Sequence, residues 1–201
     1  VEVGIYAPLT RSGDWNIPSG RNNTLTKNNV IGNHKGGIFS QKLSDSTVSD
    51  NIVRNNVQYG INLRQASGNT LSHNIVINNT GNGIWLGSSS TNTLSSNIVR
   101  NNSGYGISLY GSYNTLSGNV MADNGYNFAV HISWSWLYGW TGLTNYVDAT
   151  NTVNSKPVYY WIKEKNKVVP SDAGCVVLVE STNITIKDLT LTSNHGAVIL
   201  A

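Results

Sequence analysis

The chain has 201 residues, of which 11% are charged, and its formal net charge is +3 with a sequence pI near 9.0. This length fits one domain, and the 13 lysines and arginines are scattered singly, without the basic cluster that nucleic-acid binding requires. We therefore do not expect nucleic acid as a partner. No apolar run approaches the length of a membrane-spanning helix, so we do not expect a membrane span either.

Residues 1–22 are predicted to form an entry strand and a loop. The phrase Val3-Gly4-Ile5-Tyr6 resembles a phrase that occurs later in the chain, Tyr105-Gly106-Ile107. We therefore expect the chain to enter a repeating structure partway through one repeat, and a polar loop follows.

A regular sequence repeat occupies 23–133. The phrase NTLTKN at 23–28 returns as STVSDN at 46–51, NTLSHN at 69–74, NTLSSN at 92–97 and NTLSGN at 114–119. Each copy contains three short apolar stretches separated by corners rich in Asn and Gly, and the period is typical of stacked repeats. The pattern predicts an all-β fold, a right-handed parallel β-helix with three sides and about 23 residues per rung, where a rung is one turn of the solenoid.

Three apolar columns recur at this period, and we expect them to stack into a dry interior. They are Leu25, Val48, Leu71, Leu94 and Leu116; Val30, Val53, Val76, Val99 and Met121; and Ile38, Ile61, Ile84 and Ile107.

Two asparagine columns and one glycine column recur in the same way. An Asn amide both donates and accepts, so identical neighbours are expected to bond along the stack. For the glycines we expect a left-handed or closely approached backbone. The columns are Asn28, Asn51, Asn74, Asn97 and Asn119; Asn33, Asn56, Asn79, Asn102 and Asn124; and Gly37, Gly60, Gly83 and Gly106.

The repeat breaks after residue 133. Residues 134–174 are predicted to be an aromatic-rich insertion, and 175–201 resumed rungs, all within one β-helix domain spanning 1–201. Ile186 and Leu191 repeat the spacing of Leu25 and Val30, at an offset of seven whole periods. We therefore expect them to extend the interior columns.

The rungs resemble the parallel β-helix repeats of pectate-lyase-type enzymes and NosD-like proteins. NTVNSKPVYYW at 151–161, PSDAG at 170–174 and NITIKDLTLTSN at 183–194 are similar to a module of NosD-like proteins on archaeal cell surfaces. The resemblance implies an exported, surface-associated protein whose signal peptide is not part of this chain. NosD is linked with copper-site maturation of a periplasmic reductase, so copper handling is one functional alternative.

The residues that usually carry β-helix chemistry are dispersed in the sequence. Polysaccharide lyases and hydrolases use converging carboxylates, whereas here only Asp45 and Asp50 lie close together within the repeats. The histidines His34, His73, His131 and His195 fall at different rung positions. We therefore expect no enzymatic activity, no metal and no cofactor.

Aromatic residues are the candidates for a binding surface. They are expected to stack sugar rings, to pack within the chain or to contact another subunit, and the sequence leaves these three explanations open. The residues are Phe39, Tyr59, Trp85, Tyr105, Trp134, Trp136 and Trp140.

Two further features concern modification and reactivity. N-glycosylation sequons start at Asn22, Asn78, Asn101 and Asn183, and they predict a glycoprotein if the chain is exported. Cys175 lies in an apolar strand and is expected to be a buried, unreactive thiol.

These observations favour a non-enzymatic structural protein of the cell surface or of an extracellular filament. We expect head-to-tail self-association, in which the strand with Val198 and Leu200 of one copy meets the strand near Ile5 of the next, or contact with cell-envelope components. The alternatives are a protein that binds or processes carbohydrate, with glycans as partners, and then copper handling of the NosD kind.

Overall fold

The computed structural model describes residues 3–6, 20–131, 133–135 and 139–201, with side chains described in 20–131 and 142–201. Every regular element in these ranges is a β-strand. Within the same ranges there is no helix long and apolar enough to cross a membrane.

Most strands belong to three sheets that form the sides of a solenoid. Sheet I contains the NTLS phrases: β2 (Thr24–Thr26), β5 (Thr47–Ser49), β8 (Thr70–Ser72), β11 (Thr93–Ser95), β14 (Thr115–Ser117) and β19 (Tyr146–Val147). Sheet II begins with β3 (Asn29–Ile31), β6 (Ile52–Arg54), β9 (Ile75–Ile77), β12 (Ile98–Arg100) and β15 (Val120–Ala122). Sheet III contains β1 (Val3–Tyr6), β4 (Gly36–Gln41), β7 (Tyr59–Arg64), β10 (Ile84–Gly87), β13 (Tyr105–Tyr110) and β16 (Tyr126–Val130).

Residues one period apart are direct neighbours in these sheets. Leu71 pairs with Leu94 in sheet I, Val76 with Val99 in sheet II and Ile61 with Ile84 in sheet III, each time in parallel register. All six side chains are 0% exposed. The predicted all-β, three-sided parallel solenoid and its interior columns are therefore confirmed. Each such side chain contributes roughly 1.5–3 kcal/mol of transfer free energy through burial.

The predicted asparagine ladders are present at two corners. Asn74 is representative: its Nδ2 donates to Oδ1 of Asn97 at 2.9 Å and to the carbonyl oxygen of Val48 at 2.8 Å. Its backbone N–H also donates to Oδ1 of Asn97. The buried amide thus satisfies the corner backbone of two rungs as well as its neighbour. A third ladder of the same kind, which the sequence analysis did not single out, contains Asn69, Asn92, Asn114 and Asn145.

The glycine column exists because the backbone of the next rung lies too close for any side chain. A Cβ at Gly83 would lie 2.3 Å from Cγ1 of Val99 and 2.7 Å from the carbonyl oxygen of Gly106. The column glycines do not have left-handed φ angles. Close approach, one of the two expected reasons, is therefore the operative one.

The solenoid path changes after sheet III reaches β16. A hairpin of β17 (Ser133–Ser135) and β18 (Gly139–Thr141) follows, and then β19 and β20 (Thr152–Val153) pair with β14 and β15. Part of the segment that the sequence assigns to an insertion thus forms two sides of a rung. The chain then reverses into β21 (Lys156–Ile162), which pairs antiparallel with β20, and sheet II continues through β23 (Cys175–Val179) and β25 (Val198–Leu200).

A second apolar cluster covers the outer face of sheet II at this end. The strands β22 (Lys165–Val168) and β24 (Thr182–Thr185) pair with each other, and Ile186 and Leu191 pack with Val176 and Leu178 of β23. The prediction that Ile186 and Leu191 extend the interior columns is therefore wrong. Because the chain reverses between β20 and β21, it no longer completes one rung in every 23 residues. An offset of seven periods in the sequence therefore does not correspond to seven rungs.

Candidate functional site

The outer face of sheet III carries the candidate site. Successive side chains of a strand point to opposite faces, and on β7 Ile61 and Leu63 are buried in the interior, so Asn62 and Arg64 lie on the outer face. The parallel register sets these outward positions in two rows along the solenoid axis. One row is Phe39, Asn62, Trp85, Ser108 and Ala129, and the other is Gln41, Arg64, Gly87 and Tyr110.

At one end of this face, rings from three segments meet in what we call the histidine–tyrosine cluster, namely Tyr105, Tyr110, Tyr126, His131 and His195. His131 directly follows β16, and its backbone N–H donates to the carbonyl oxygen of Leu109. His195 comes from near the end of the chain, and backbone hydrogen bonds hold that segment beside β16, from Asn127 N to Ser193 O and from His195 N to Phe128 O.

The rings of the cluster are in direct contact. His131 stacks on Tyr110 with ring centroids 3.8 Å apart, and the two imidazoles have centroids 5.1 Å apart. Tyr105 meets both histidines edge to face, at 5.4 Å and 5.3 Å. Nε2 of His131 lies 3.0 Å from the hydroxyl oxygen of Ser108, which fixes the orientation of the imidazole.

The surroundings shift the pKa values of the cluster in opposite directions. Burial, and then the charge of His195, lowers the pKa of His131 to about 4. Burial, and then the phenols of Tyr110 and Tyr126, raises the pKa of Tyr105. At neutral pH the cluster contains an unprotonated imidazole in contact with a protonated phenol, a pair that is able to accept and to donate a proton.

Farther along the same face lies the Arg64 pocket, formed by aromatic rings around one guanidinium group. Cζ of Arg64 is 4.8 Å from the ring of Trp85 and 5.8 Å from that of Phe39, and Tyr59 stacks on Trp85 with centroids 5.9 Å apart. Trp85 also meets Tyr110 edge to face, so the pocket and the cluster are continuous. A cavity of about 300 Å³ opens here, lined by Gln41, Arg64, Gln65, Trp85, Gly87, Ser88 and Tyr110.

Beside this pocket, the side chain of Asn62 is buried without a hydrogen-bond partner. It is 0% exposed, and neither its Nδ2 nor its Oδ1 forms a hydrogen bond. The register places it between Phe39 and Trp85, the two residues whose rings Arg64 contacts. Buried amides are nearly always satisfied, so the unpaired side chain of Asn62 is an exception.

Part of this site was predicted from the sequence. The predicted aromatics Phe39, Tyr59, Trp85 and Tyr105 all lie on sheet III. Trp134 and Trp140 are partners in the hairpin, where only the backbone is described, and Trp136 lies outside the described residues. The ionisable groups of the face were not predicted as site residues, and they belong to Arg64, Tyr110, Tyr126, His131 and His195.

Carboxylates contribute little to this face. In the described part of the chain there is no group of three or more His, Cys, Asp or Glu side chains that could hold a metal ion. Asp45 and Asp50 both lie at corners, with left-handed φ angles of 50° and 55°. The chemistry available to the site is therefore that of imidazole, phenol and guanidinium.

Three of the predicted modification sites lie at corners of the solenoid, and the fourth, Asn183, lies in β24. The sequon asparagines Asn22, Asn78, Asn101 and Asn183 are all exposed with left-handed φ angles of 53° to 56°. Glycosylation stays a prediction.

Cys175 is 1% exposed, and burial raises the pKa of its thiol to about 12, so it is an unreactive core residue as expected.

The predicted assembly strands lie on different sides of the solenoid. Ile5 belongs to β1 at an edge of sheet III, whereas Val198 and Leu200 belong to β25 at an edge of sheet II. A joint between these two strands would not continue the same sheet from one copy to the next. Self-association stays a prediction.

The strand order and register define a right-handed parallel β-helix, and the candidate site lies on one of its outer faces. A family model described as "Right handed beta helix region" matches residues 15–152, and the chain belongs to this family. Among curated proteins none matches the sequence.

Two solved structures show the same fold at low sequence identity. The periplasmic alginate epimerase AlgG is 20% identical with a TM-score of 0.55, and the match covers 82% of this chain and 39% of AlgG. The A-module of the mannuronan C-5 epimerase AlgE4 from Azotobacter vinelandii is 15% identical with a TM-score of 0.50, and the match covers 90% of this chain and 58% of that module. The chain thus spans about two-fifths to three-fifths of the length of these proteins.

The comparison corrects one expectation from the sequence. A protein without enzymatic activity was expected because carboxylates and histidines are dispersed along the chain. That expectation is contradicted, since the proteins with this fold that the chain resembles are epimerases. Its premise also fails for the histidines, because folding brings His131 and His195 together.

Proposed function

We propose that this protein processes a uronate polysaccharide along the outer face of sheet III, with the histidine–tyrosine cluster as its proton-transfer centre. The observation that carries the proposal is the contact between the imidazole of His131 and the phenol of Tyr105, two groups that can accept and donate a proton at neutral pH. The activities for which the two similar proteins are named support this reading.

The reaction class follows from these two groups. In C-5 epimerisation, His131 would take the proton from the carbon next to the carboxylate, and the electrons of the broken C–H bond would pass to the carboxylate as an enediolate. Tyr105 would then return a proton to the opposite face of that carbon, which requires the sugar ring to enter between the two side chains and separate them. Elimination of the neighbouring glycosidic oxygen from the same intermediate would give a lyase product instead.

The rest of the face is suited to holding a sugar chain. Aromatic rings offer apolar area to the faces of sugars, and the row from Tyr59 through Trp85 to Tyr110 runs along the solenoid axis towards the cluster. An extended polymer would lie along this row. An exported location is part of the proposal, because such polymers lie outside the cytoplasm, and one of the similar proteins is periplasmic by its name.

Incubation with mannuronan and with polygalacturonate in D₂O tests the proposal. Proton NMR should show deuterium entering at C-5, and ultraviolet absorbance would reveal unsaturated ends if elimination occurs. His131→Gln should lower turnover by about 10²- to 10⁴-fold, the usual contribution of a general base. His73→Gln, at an exposed corner, is the matched control and should leave turnover unchanged. The proposal would be overturned if neither deuterium exchange nor elimination is seen with mannuronan or with polygalacturonate.

A further inference from the structure

The Arg64 pocket and the histidine–tyrosine cluster meet at Tyr110, but the backbone positions of Arg64 and His131 are far apart along the solenoid axis. Arg64 is followed in its row by Gly87, Tyr110 and then His131, which is three strand spacings or about 14 Å. That separation exceeds the length of one pyranose ring.

We infer that the Arg64 pocket is a separate subsite, which binds the carboxylate of a sugar unit remote from the unit that reacts at His131. This inference rests on the proposed function, because only a polymer connects the two places. It assigns Arg64 a role in selecting chain length and charge rather than in chemistry.

The guanidinium group of Arg64 is positioned in advance for this role. Its Cζ lies 4.8 Å from the ring of Trp85 and 5.8 Å from that of Phe39, and these cation–π contacts orient an otherwise exposed side chain. In the described residues no carboxylate forms an ion pair with it. A planar guanidinium group with available N–H donors matches the two oxygens of a carboxylate.

The groups around Arg64 suit the remainder of a sugar unit. Trp85 is half-buried, and a Cβ at Gly87 would come within 3.2 Å of its ring, so the glycine allows the indole to lie close over this position. The amides of Gln41 and Gln65 are hydrogen-bonded to each other at 3.2 Å on the rim of the cavity, where they can also bond to hydroxyl groups. The cavity of about 300 Å³ is at the lower end of the range for small-ligand sites.

The unsatisfied amide of Asn62 is an independent observation that points to a ligand at this place. It is fully buried in the same row as Trp85, with both polar atoms unpaired. An unpaired buried amide lowers the free energy of unfolding, and an apolar residue of similar size would avoid this loss. The presence of an amide is explained if a bound sugar unit reorders the side chains around Asn62 and supplies a hydrogen-bond partner.

Binding of mannuronate oligosaccharides of graded length, measured by titration calorimetry, tests the inference. With the wild-type protein we expect affinity to rise in a step once the oligosaccharide is long enough to reach from His131 to Arg64. Arg64→Gln should remove the step and weaken binding of the longer oligosaccharides by about tenfold to a hundredfold, the range for a lost charge-assisted hydrogen bond, while short ones bind as before. Oligosaccharides with methyl-esterified carboxylates should also lack the step.

Matched variants separate this role from a general effect on charge or folding. Arg100→Gln removes an exposed arginine from sheet II and should leave the step intact. Arg64→Lys keeps the charge and the aliphatic stem, so it should fold if Arg64→Gln does not, and it should retain only part of the step. Asn62→Leu should raise the midpoint of thermal unfolding while weakening the binding of the longer oligosaccharides.

The outcomes distinguish the subsite from the proposed function. The subsite alone would be overturned if turnover depends on His131 but the wild-type protein shows no step in affinity. The same conclusion would follow if turnover depends on His131 but Arg64→Gln and Arg100→Gln bind the longer oligosaccharides equally well. A step that persists with esterified oligosaccharides would overturn the assignment of a carboxylate to Arg64. If no uronate oligosaccharide binds at any length, both proposals are wrong.

Discussion

The imidazole of His131 lies flat against the phenol ring of Tyr110, with centroids 3.8 Å apart and planes 6° apart. This contact removes water from one face of the imidazole, and His195 lies on another side with its centroid 5.1 Å away. Protonation of His131 would therefore place a cation in a partly dry position next to a second imidazole. The stacking geometry explains why the pKa of His131 is lowered to about 4, with burial as the larger cause.

The lowered pKa predicts a specific dependence of stability on pH. Between about pH 6.5 and about pH 4 the unfolded chain binds a proton at His131 that the folded chain does not, so the free energy of unfolding should fall as the pH falls through this window. Below about pH 4 this contribution should be fully lost. Urea unfolding across the window should show a smaller decline for His131→Gln than for the wild-type protein.

The control for that comparison is His73→Gln, at an exposed corner of the solenoid. Its pH dependence should follow that of the wild-type protein. If His131→Gln also follows the wild-type curve, the ring contacts do not lower the pKa of His131, and the partly dry environment inferred for its imidazole is wrong.

The asparagine ladders predict a large effect of a single amide. Asn97 donates to Asn119 at 2.8 Å and to the carbonyl oxygen of Leu71 at 2.9 Å, and it accepts from Nδ2 of Asn74 at 2.9 Å. Asn97→Ala leaves these buried groups without partners and should lower the free energy of unfolding by about 2–4 kcal/mol, measured with urea. Asn29→Ala, at an exposed strand position, should change it by less than about 0.5 kcal/mol. Equal effects of the two would show that the ladder adds nothing to stability.

The interior of this fold could be predicted from the sequence because residues one period apart in the chain contact each other in adjacent rungs. Leu71 and Leu94 are one period apart in the sequence and pair directly, and the same step holds for Val76 and Val99. Nothing more than the period is needed to name these neighbours. The asparagine and glycine columns follow from the same step.

The histidine–tyrosine cluster escaped prediction because it lies where the period fails. The strands β13 and β16 pair with a shortened step, as Tyr105 with Tyr126, so His131 falls beside Tyr110 two positions earlier than the regular period would place it. His195 reaches the cluster only after the hairpin, the reversal at β21 and the second apolar cluster. No fixed spacing connects it to Tyr105. Apolar and amide columns repeat because every rung needs them, whereas the site is built once.

The glycine column predicts a steric effect that differs from the usual cost of replacing a glycine. In Gly83→Ala the new methyl group would lie 2.3 Å from Cγ1 of Val99 and 2.7 Å from the carbonyl oxygen of Gly106, so adjacent rungs must separate. We expect a loss of about 3 kcal/mol or more in the free energy of unfolding. Gly32→Ala meets no atom within 4 Å but has a φ of 68°, so it should cost only about 1–2 kcal/mol. A smaller loss for Gly83→Ala than for Gly32→Ala would contradict the close approach of the rungs.

The role proposed for Tyr105 predicts a change in turnover without a matching change in binding. Its ring contacts both histidines, and burial raises the pKa of its hydroxyl, so the group stays protonated and able to donate at neutral pH. Tyr105→Phe keeps the ring and removes only the hydroxyl. We therefore expect kcat on mannuronan to fall by about 10²- to 10⁴-fold with KM changed little. Tyr146→Phe, at an exposed position of sheet I, should leave both constants unchanged. If Tyr105→Phe instead raises KM with kcat intact, the residue binds the sugar chain through its hydroxyl, and the acid that completes the proton transfer must be sought in Tyr110 or Tyr126.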